Sequence, residues 1–155
     1  TVRISYMVLP EDLAKRFYSE LSFYSCTVSN FEQYALMRFI NEGCFEKHIN
    51  RMRNFYHKQR DSLLDAIKNS PLASYVTIME EDSGLHFLLK VNTELSDEEL
   101  MQRALQKGVK LNSLSAYYHD SPDDFAAHTF IINYSYLNTT GVADAIKVLY
   151  DVIKK

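Results

Sequence analysis

Six basic side chains lie close together in the middle of the chain, and they are the residues that could bind a polyanion. They are His48, Arg51, Arg53, His57, Lys58 and Arg60. Such a group binds successive phosphates when it forms one stripe. On a helix, the spacing of these six residues distributes them around the exposed face, among acidic residues. The pattern therefore favours a solvated face over a polyanion site.

Charge and cysteine content limit the other kinds of chemistry. Cys26 and Cys44 lack the spacing of metal ligands and do not indicate a disulfide framework, which is typical of a reducing cytosol. Seventeen basic and 20 acidic residues give a net charge of -3, so no field attracts nucleic acid. No run of about 18 apolar residues predicts a membrane helix. We expect a cytoplasmic protein with no metal site, no membrane and no nucleic acid contact by this segment.

Residues 44–70 contain no glycine or proline and organise the predicted fold. Their apolar side chains recur at spacings of three, four and seven, which places them on one face of a helix. These side chains are Phe45, Ile49, Met52, Tyr56, Leu63 and Ile67. We expect this face to be buried and the opposite, charged face to be exposed. At about 1.5 Å per residue the helix is roughly 40 Å long, so we expect other elements to lie across it.

One strand and two helices are predicted before this run. Residues 1–9 alternate in a β-rich pattern and predict a strand. Pro10 and the two acidic residues after it begin a first helix. A second helix, capped by Ser29 or Asn30, runs to Ile40.

Beyond Pro71, strands alternate with helices. Strands are predicted at residues 75–79, 85–91, 109–114 and 128–136, and the first two are predicted to form a hairpin. One helix is predicted near residues 96–108, where Ser96 and the acidic residues 97–99 form a capped N-terminus. Another helix is predicted at the C-terminal end, capped by Asn138 or Thr139. The order predicts an α/β (α+β) fold, with a small mixed sheet packed with helices. With 155 residues, of which 46% are hydrophobic, we expect one compact unit.

The order of these segments resembles the C-terminal part of a fold-type I pyridoxal-phosphate aminotransferase. The resemblance covers essentially the whole chain, and it rests on the stretches TVRISYMVLP, FEQYALMRFINEGCFEKHINRMRNFYHKQRDSLLDAI, SGLHFLL and GVKLNSLSAYY. The family most similar to it is the aminotransferase-like domain of MocR-type transcriptional regulators of the GntR family. The resemblance implies that residues 1–155 form a single small C-terminal subdomain, without the large cofactor-binding domain and any DNA-binding domain.

The resemblance gives Arg3 a cofactor-binding role. In the family, an arginine that opens such a strand pairs with the phosphate of pyridoxal phosphate, and a guanidinium suits this task because it donates twice and stays charged. The alternative is a surface arginine at a strand end. The family's Schiff-base lysine would precede Thr1. The resemblance therefore implies no catalytic residue, no transamination and no retained cofactor for this chain alone.

The resemblance also indicates effector contacts at Tyr117 and His128. Aminotransferases commonly hold the substrate carboxylate with an arginine in the strand before the last helix, but residues 131–134 read Ile-Ile-Asn-Tyr. Tyr117, in the loop that resembles the substrate-side loop, and His128 are the candidates to replace that arginine. His86 matches a family position too, where a structural histidine bonded to backbone is the favoured interpretation.

Three functions are compatible with these observations. The first is the effector-sensing and dimerising C-terminal segment of a pyridoxal-phosphate-dependent MocR/GntR-type regulator. Its parent protein would be a homodimer that binds an amino compound or pyridoxal phosphate as effector. The second is the C-terminal segment of a genuine aminotransferase. The third is a free-standing small-molecule or protein-binding domain. Apolar side chains of residues 1–9, Phe17, Tyr18 and Phe23 are expected to be exposed and to cause association.

Overall fold

The computed structural model describes residues 3–82, 84–119, 124–135 and 139–154. These residues form, in chain order, the helices and strands α1 (Glu11–Leu21), α2 (Asn30–Asn41), α3 (Cys44–Lys68), β1 (Val76–Met79), β2 (His86–Val91), α4 (Asp97–Gln106), β3 (Thr129–Asn133) and α5 (Val142–Ile153). Short 3₁₀ turns lie at Pro71–Tyr75, Leu114–Tyr117 and Thr139–Gly141.

The chain divides into two compact units, Thr1–Arg51 and Met52–Lys155. Helix α3 begins in the first unit and ends in the second. The sequence led us to expect one compact unit, and the division differs from that expectation. The assignment of residues 1–155 to a single C-terminal subdomain stays a prediction.

Local signals at the helix ends build the first unit. Ser29 caps α2, because its Oγ accepts a hydrogen bond from the Glu32 N–H at 3.2 Å. Gly43 has a φ of +69° and turns the chain from α2 into α3. Glycine adopts this conformation readily because it has no Cβ. The helices predicted before residue 70 are confirmed, and so is the cap at Ser29.

The strand predicted at residues 1–9 is wrong for residues 3–9, which form neither helix nor strand. Residues 1 and 2 lie outside the described residues. A strand is held by hydrogen bonds to a neighbouring strand, and the alternation of side chains does not supply that neighbour. The pattern therefore predicted a conformation whose partner is not found in the described part of the chain.

Large apolar side chains of the first unit face solvent. None of its described residues is buried. Tyr6 is 91% exposed and Phe23 is 76% exposed. Tyr18 is exposed as well, as the sequence led us to expect, whereas Phe17 is half-buried. Apolar area of this extent is typical of a surface that contacts another protein surface.

A three-stranded sheet with β2 in the centre forms one layer of the second unit. β2 pairs antiparallel with β1, from Val76↔Val91 to Met79↔Leu88, and antiparallel with β3, from His86↔Asn133 to Lys90↔Thr129. The α/β fold class and the β1–β2 hairpin are confirmed. Every strand pair in the described residues is antiparallel, so the parallel pairs of a mixed sheet are not among them.

The core of the second unit combines β2 and β3 with one end of α3 and with α4 and α5. Its buried members are Leu63, Leu64, Ile67, Leu72, Phe87, Leu89, Val91, Leu100, Ala104, Leu111, Phe130, Tyr134, Ile146, Leu149, Val152 and Ile153. On α3 only the C-terminal end is buried, whereas Phe45 and Ile49 are 40% and 39% exposed. The expectation that the whole apolar stripe of α3 is buried is wrong at its N-terminal end. Helical spacing defines a common face but not what covers it.

Two predictions of local structure in the second unit are wrong. Residues 109–114 do not form a strand, and only Ser113 makes an isolated bridge, to Phe130. The Ser113 hydroxyl accepts from the Ser115 N–H at 3.2 Å and begins the Leu114–Tyr117 turn, which competes with strand pairing. Helix α5 is not capped at Thr139. A 3₁₀ turn intervenes and Gly141 takes the cap position. The alternative cap, Asn138, lies outside the described residues.

Candidate functional site

Arg3, the predicted phosphate ligand, belongs to the first unit and is exposed. Within the described ranges, no hydrogen bond or ion pair engages its guanidinium. An exposed guanidinium without an internal partner keeps its donors available for an anion, so the residue fits a phosphate. Its role as a cofactor ligand stays a prediction.

Asp97 is the centre of a buried polar network in the second unit. It is the first residue of α4, directly after Ser96, whose Oγ accepts from the Glu99 N–H at 3.2 Å and caps the helix. Asp97 is only 9% exposed. Its Oδ2 accepts from the Oγ of Ser113 at 2.6 Å and from the Oγ of Ser115 at 2.9 Å. A carboxylate at a helix N-terminus is favoured by the helix dipole, so this position suits an acceptor of several hydrogen bonds.

The same carboxylate fixes the backbone of His128. Asp97 Oδ1 accepts from the His128 N–H at 3.0 Å, and the Val91 N–H donates to the His128 carbonyl at 2.8 Å. His128 has a φ of +56°, a left-handed conformation that is uncommon for a residue with a Cβ. Such a conformation persists where surrounding contacts impose it. The two hydrogen bonds to its backbone supply that constraint.

The His128 imidazole lies beside Asp97 but is not hydrogen bonded to it. The Nδ1–Oδ1 distance is 3.3 Å, yet Nδ1 is buried and has no hydrogen-bond partner among the described residues. The two groups are therefore close together without a directed hydrogen bond. The side chain of His128 is 36% exposed. The backbone hydrogen bonds fix where the side chain of His128 begins, and part of the ring is open to solvent.

Tyr117 is connected to the same network through the turn that carries it. It ends the Leu114–Tyr117 turn, which Ser113 caps, and its side chain is 70% exposed. Ser113 is 2% exposed and Ser115 is half-buried. The carboxylate of Asp97 therefore anchors both the segment of Tyr117 and the segment of His128, the two residues predicted to contact an effector.

The chemistry of this network is positioning rather than nucleophilic attack. Three short oxygen–oxygen contacts are present, because Ser113 Oγ and Ser115 Oγ also lie 2.6 Å apart. The two serine hydroxyls supply only two hydrogens for them. A serine nucleophile needs a base that accepts its proton. Here both hydroxyls donate to a buried carboxylate at a helix end, and no hydrogen bond in the described structure joins the histidine to either of them. The arrangement suits the fixing of loops around a ligand.

The other residues that the sequence singled out lie in structural positions of the sheet. Residues 131–133 lie in β3 and carry no basic side chain, and Tyr134 is buried with its hydroxyl donating to the Gly84 carbonyl at 2.7 Å. His86 is half-buried in β2.

Arg60, from the basic group on α3, fastens the β1–β2 turn. It donates to Asp82 at 2.7 Å and to Asp61 at 3.0 Å. The hydrogen bond to Asp61 is the largest cause that raises the pKa of Arg60 above its ordinary value. This arginine is engaged by carboxylates and is not available to a polyanion.

Sequence reasoning missed Asp97, Ser113 and Ser115. Asp97 was interpreted only as an acidic residue of a helix start, and the serines are 16 and 18 positions away from it. The two serines separated by one residue were the one local signal of a turn. In the described ranges, no group of three or more His, Cys, Asp or Glu side chains could hold a metal ion, and no helix is long and apolar enough to span a membrane.

Comparison with known proteins was made by sequence and by structure. No family model matches the chain. The uncharacterized HTH-type transcriptional regulator YdeL of Bacillus subtilis is 36% identical over 149 residues, which are 96% of this chain and 31% of the regulator. The probable rhizopine catabolism regulatory protein MocR of Rhizobium meliloti is 32% identical over 96% of this chain and 29% of its own length. The chain thus spans about a third of the length of these relatives.

Solved aminotransferases share the fold. The kynurenine aminotransferase of Pyrococcus horikoshii superposes with a TM-score of 0.72 and 26% identity, over 94% of this chain and 35% of the enzyme. The multiple substrate aminotransferase of Thermococcus profundus gives a TM-score of 0.73 at 22% identity, over 94% of this chain and 35% of that enzyme. The chain shares the fold of about a third of a fold-type I aminotransferase. It is homologous to MocR-type and other HTH-type transcriptional regulators, which fits the C-terminal aminotransferase-like part of such a regulator.

Proposed function

We propose that the chain is the effector-sensing and dimerising C-terminal segment of a pyridoxal-phosphate-dependent regulator of the MocR type. The observation that carries this proposal is the similarity to HTH-type regulators over 96% of the chain, at 36% and 32% identity. The parent protein would be a cytoplasmic homodimer that binds an amino compound or pyridoxal phosphate as effector. This segment would contact no nucleic acid itself and would retain no cofactor alone.

Three residues would form the ligand contacts in that protein. Arg3 would hold the cofactor phosphate, and Tyr117 and His128 would contact the effector. The exposure of Arg3 and Tyr117 supports this, as does the anchoring of two segments by Asp97. Pyridoxal phosphate, when bound, supplies the electron sink that makes amino compounds reactive. The residues of this chain would bind and orient these molecules.

Replacing Arg3 with alanine in the parent protein is expected to weaken cofactor binding. The guanidinium would neutralise a phosphate that carries close to two charges, and losing one charge-assisted pair costs about 1.5–3 kcal/mol. That is roughly a ten- to hundredfold rise in Kd. Cofactor absorbance during titration, and its retention after dialysis, measure the change.

Arg38→Ala is the matched control for this measurement. Arg38 is another arginine of the first unit, but it is paired with Glu42 at 2.8 Å on the surface of α2. Its removal should leave the affinity for the cofactor unchanged. An Arg3→Ala protein that retains pyridoxal phosphate as tightly as the unchanged protein would remove the assigned role.

Assays on the purified parent protein distinguish the regulator from a genuine aminotransferase, the second candidate. That candidate is favoured by the fold shared with kynurenine aminotransferase. A regulator should change its retardation of a promoter fragment when an amino compound is added. Turnover of the amino compound to a keto acid, without any effect on DNA binding, would replace the first proposal by the second.

The exposed apolar side chains of the first unit are expected to cause self-association of the 155-residue chain. Tyr6 and Phe23 lose their contact with water when they are covered, which is favourable. The weight-average sedimentation coefficient should rise with concentration, and Phe23→Ser should reduce the rise. Leu105→Ser, at an exposed apolar residue of the second unit, is the control. A strict monomer over a wide range of concentration would contradict this expectation.

A further inference from the structure

The first unit contains a basic cavity that the proposed function does not use. Its volume is about 320 Å³, and it is lined by Phe39, Cys44, Lys47, His48 and Arg51. The four residues from α3 are spaced three, one and three apart, which places them on one face of the helix. This refines the expectation of a solvated face, because His48 and Arg51 of the basic group line one concave surface together with Lys47.

The cations of this cavity have no carboxylate partner in the part of the chain that the structure describes. Among the described residues, no ion pair engages Lys47 or Arg51, whereas the nearby Glu42 is paired with Arg38 at 2.8 Å. Lys47 and Arg51 are four residues apart on one helix, a spacing at which like charges repel. A bound anion would remove this repulsion, so the pair favours occupation by negative charge.

Arg51 also orients the histidine. Its Nη2 lies 3.3 Å from His48 Nδ1. A guanidinium only donates, so Nδ1 accepts and the imidazole proton is on Nε2. His48 therefore presents a donor at Nε2. The cavity thus holds an ammonium, a guanidinium and an imidazole N–H, all of them donors to an anion.

One side of the cavity is aromatic rather than basic. The ring of Phe39 is 38% exposed, and its centroid lies 6.2 Å from that of His48 and 6.1 Å from that of Phe45. Such a surface accepts a flat apolar group by stacking. We infer that this cavity binds a small organic phosphate, with Lys47, His48 and Arg51 on the phosphate and Phe39 against the organic part. A phosphate monoester carries close to two negative charges, which matches the two cations.

Titration of the 155-residue chain with phenyl phosphate and with inorganic phosphate tests this inference. Binding is followed by NMR shifts of the Arg51 side chain and the His48 ring. Both ligands should give saturable shifts, and phenyl phosphate should bind more tightly because its ring lies on Phe39. Arg51→Gln should raise the Kd roughly tenfold, the effect of one charge-assisted pair. Phe39→Ala should abolish the preference for phenyl phosphate and leave the Kd for inorganic phosphate unchanged.

Two controls are present in the chain. Arg53→Gln removes the same charge from α3 at a residue that does not line the cavity, and it should change the Kd less than twofold. Bound phenyl phosphate should slow the alkylation of Cys44 but not of the exposed Cys26. If Arg51→Gln does not fold, as judged by circular dichroism, Lys47→Gln takes its place.

Equal weakening by Arg53→Gln and Arg51→Gln would show attraction by general charge and overturn the inference. Shifts that stay linear up to the solubility limit would do so as well. No pyridoxal phosphate takes part in the titration, so failure here leaves the proposed function untouched, and failure of that function leaves this site untouched.

Discussion

The free energy of unfolding is expected to fall by about 3–5 kcal/mol in Asp97→Ala, because one buried acceptor is removed from three donors at once. The hydroxyls of Ser113 and Ser115 and the His128 N–H donate to this carboxylate at 2.6, 2.9 and 3.0 Å. Ser113 is 2% exposed, so water cannot readily replace the lost acceptor. The left-handed backbone of His128 loses one of its two constraints as well. Urea denaturation followed by circular dichroism measures the loss.

Asp97→Asn and Glu98→Ala are the companion variants. Asparagine keeps one acceptor oxygen, so Asp97→Asn should lose less stability than Asp97→Ala. Glu98 is the next residue of the same helical turn and is exposed, so Glu98→Ala should change stability by less than about 0.5 kcal/mol. Equal stability of Asp97→Ala and Glu98→Ala would mean that the network does not hold the two segments.

Phe87→Ala is expected to cost about 3–5 kcal/mol, the range for removal of a buried phenylalanine. Phe87 is fully buried in the central strand, opposite Ile132 of β3. Its ring also stacks on Tyr134 at a centroid distance of 6.4 Å. Loss of the ring leaves a cavity on one face of the sheet, and β2 cannot move easily to close it because it is paired on both sides.

The measurement is again the urea midpoint, with Leu85→Ala as the control. Leu85 is 39% exposed and directly precedes β2, so its truncation should cost less than about 1 kcal/mol. The midpoint should fall while the slope of the transition stays constant. A Phe87→Ala midpoint equal to that of Leu85→Ala would contradict the burial that the structure shows.

The sequence predicts those parts of the fold that depend on neighbouring residues. Ser29 and Ser96 cap helices by bonds that reach only three residues along the chain. Gly43 separates α2 from α3 by its own backbone conformation. The β1–β2 hairpin is local in the same sense, since its strands are joined by one short turn. Each of these was therefore visible as a short pattern.

The candidate site is not visible in this way, because its contacts join distant positions. Asp97 meets His128 across 31 residues, and neither residue has neighbours that indicate the other. The strand predicted at residues 109–114 failed for the converse reason. Its β-forming residues were favourable, but the local hydrogen bond of Ser113 turned the chain instead. Arg3, Tyr117 and His128 were found only through resemblance to a family, and their roles stay predictions.

Helix α3 is continuous, but its two ends do not resist local unfolding equally. It continues over 25 residues, yet its buried residues all lie near the C-terminal end. Amides near Leu64 are expected to exchange only when the core around them unfolds, whereas amides near Phe45 exchange when the first turns of the helix fray. Hydrogen exchange along this single helix is therefore expected to be slow near Leu64 and fast near Phe45. Its N-terminal turns can adapt to whatever covers them while its last turns stay fixed.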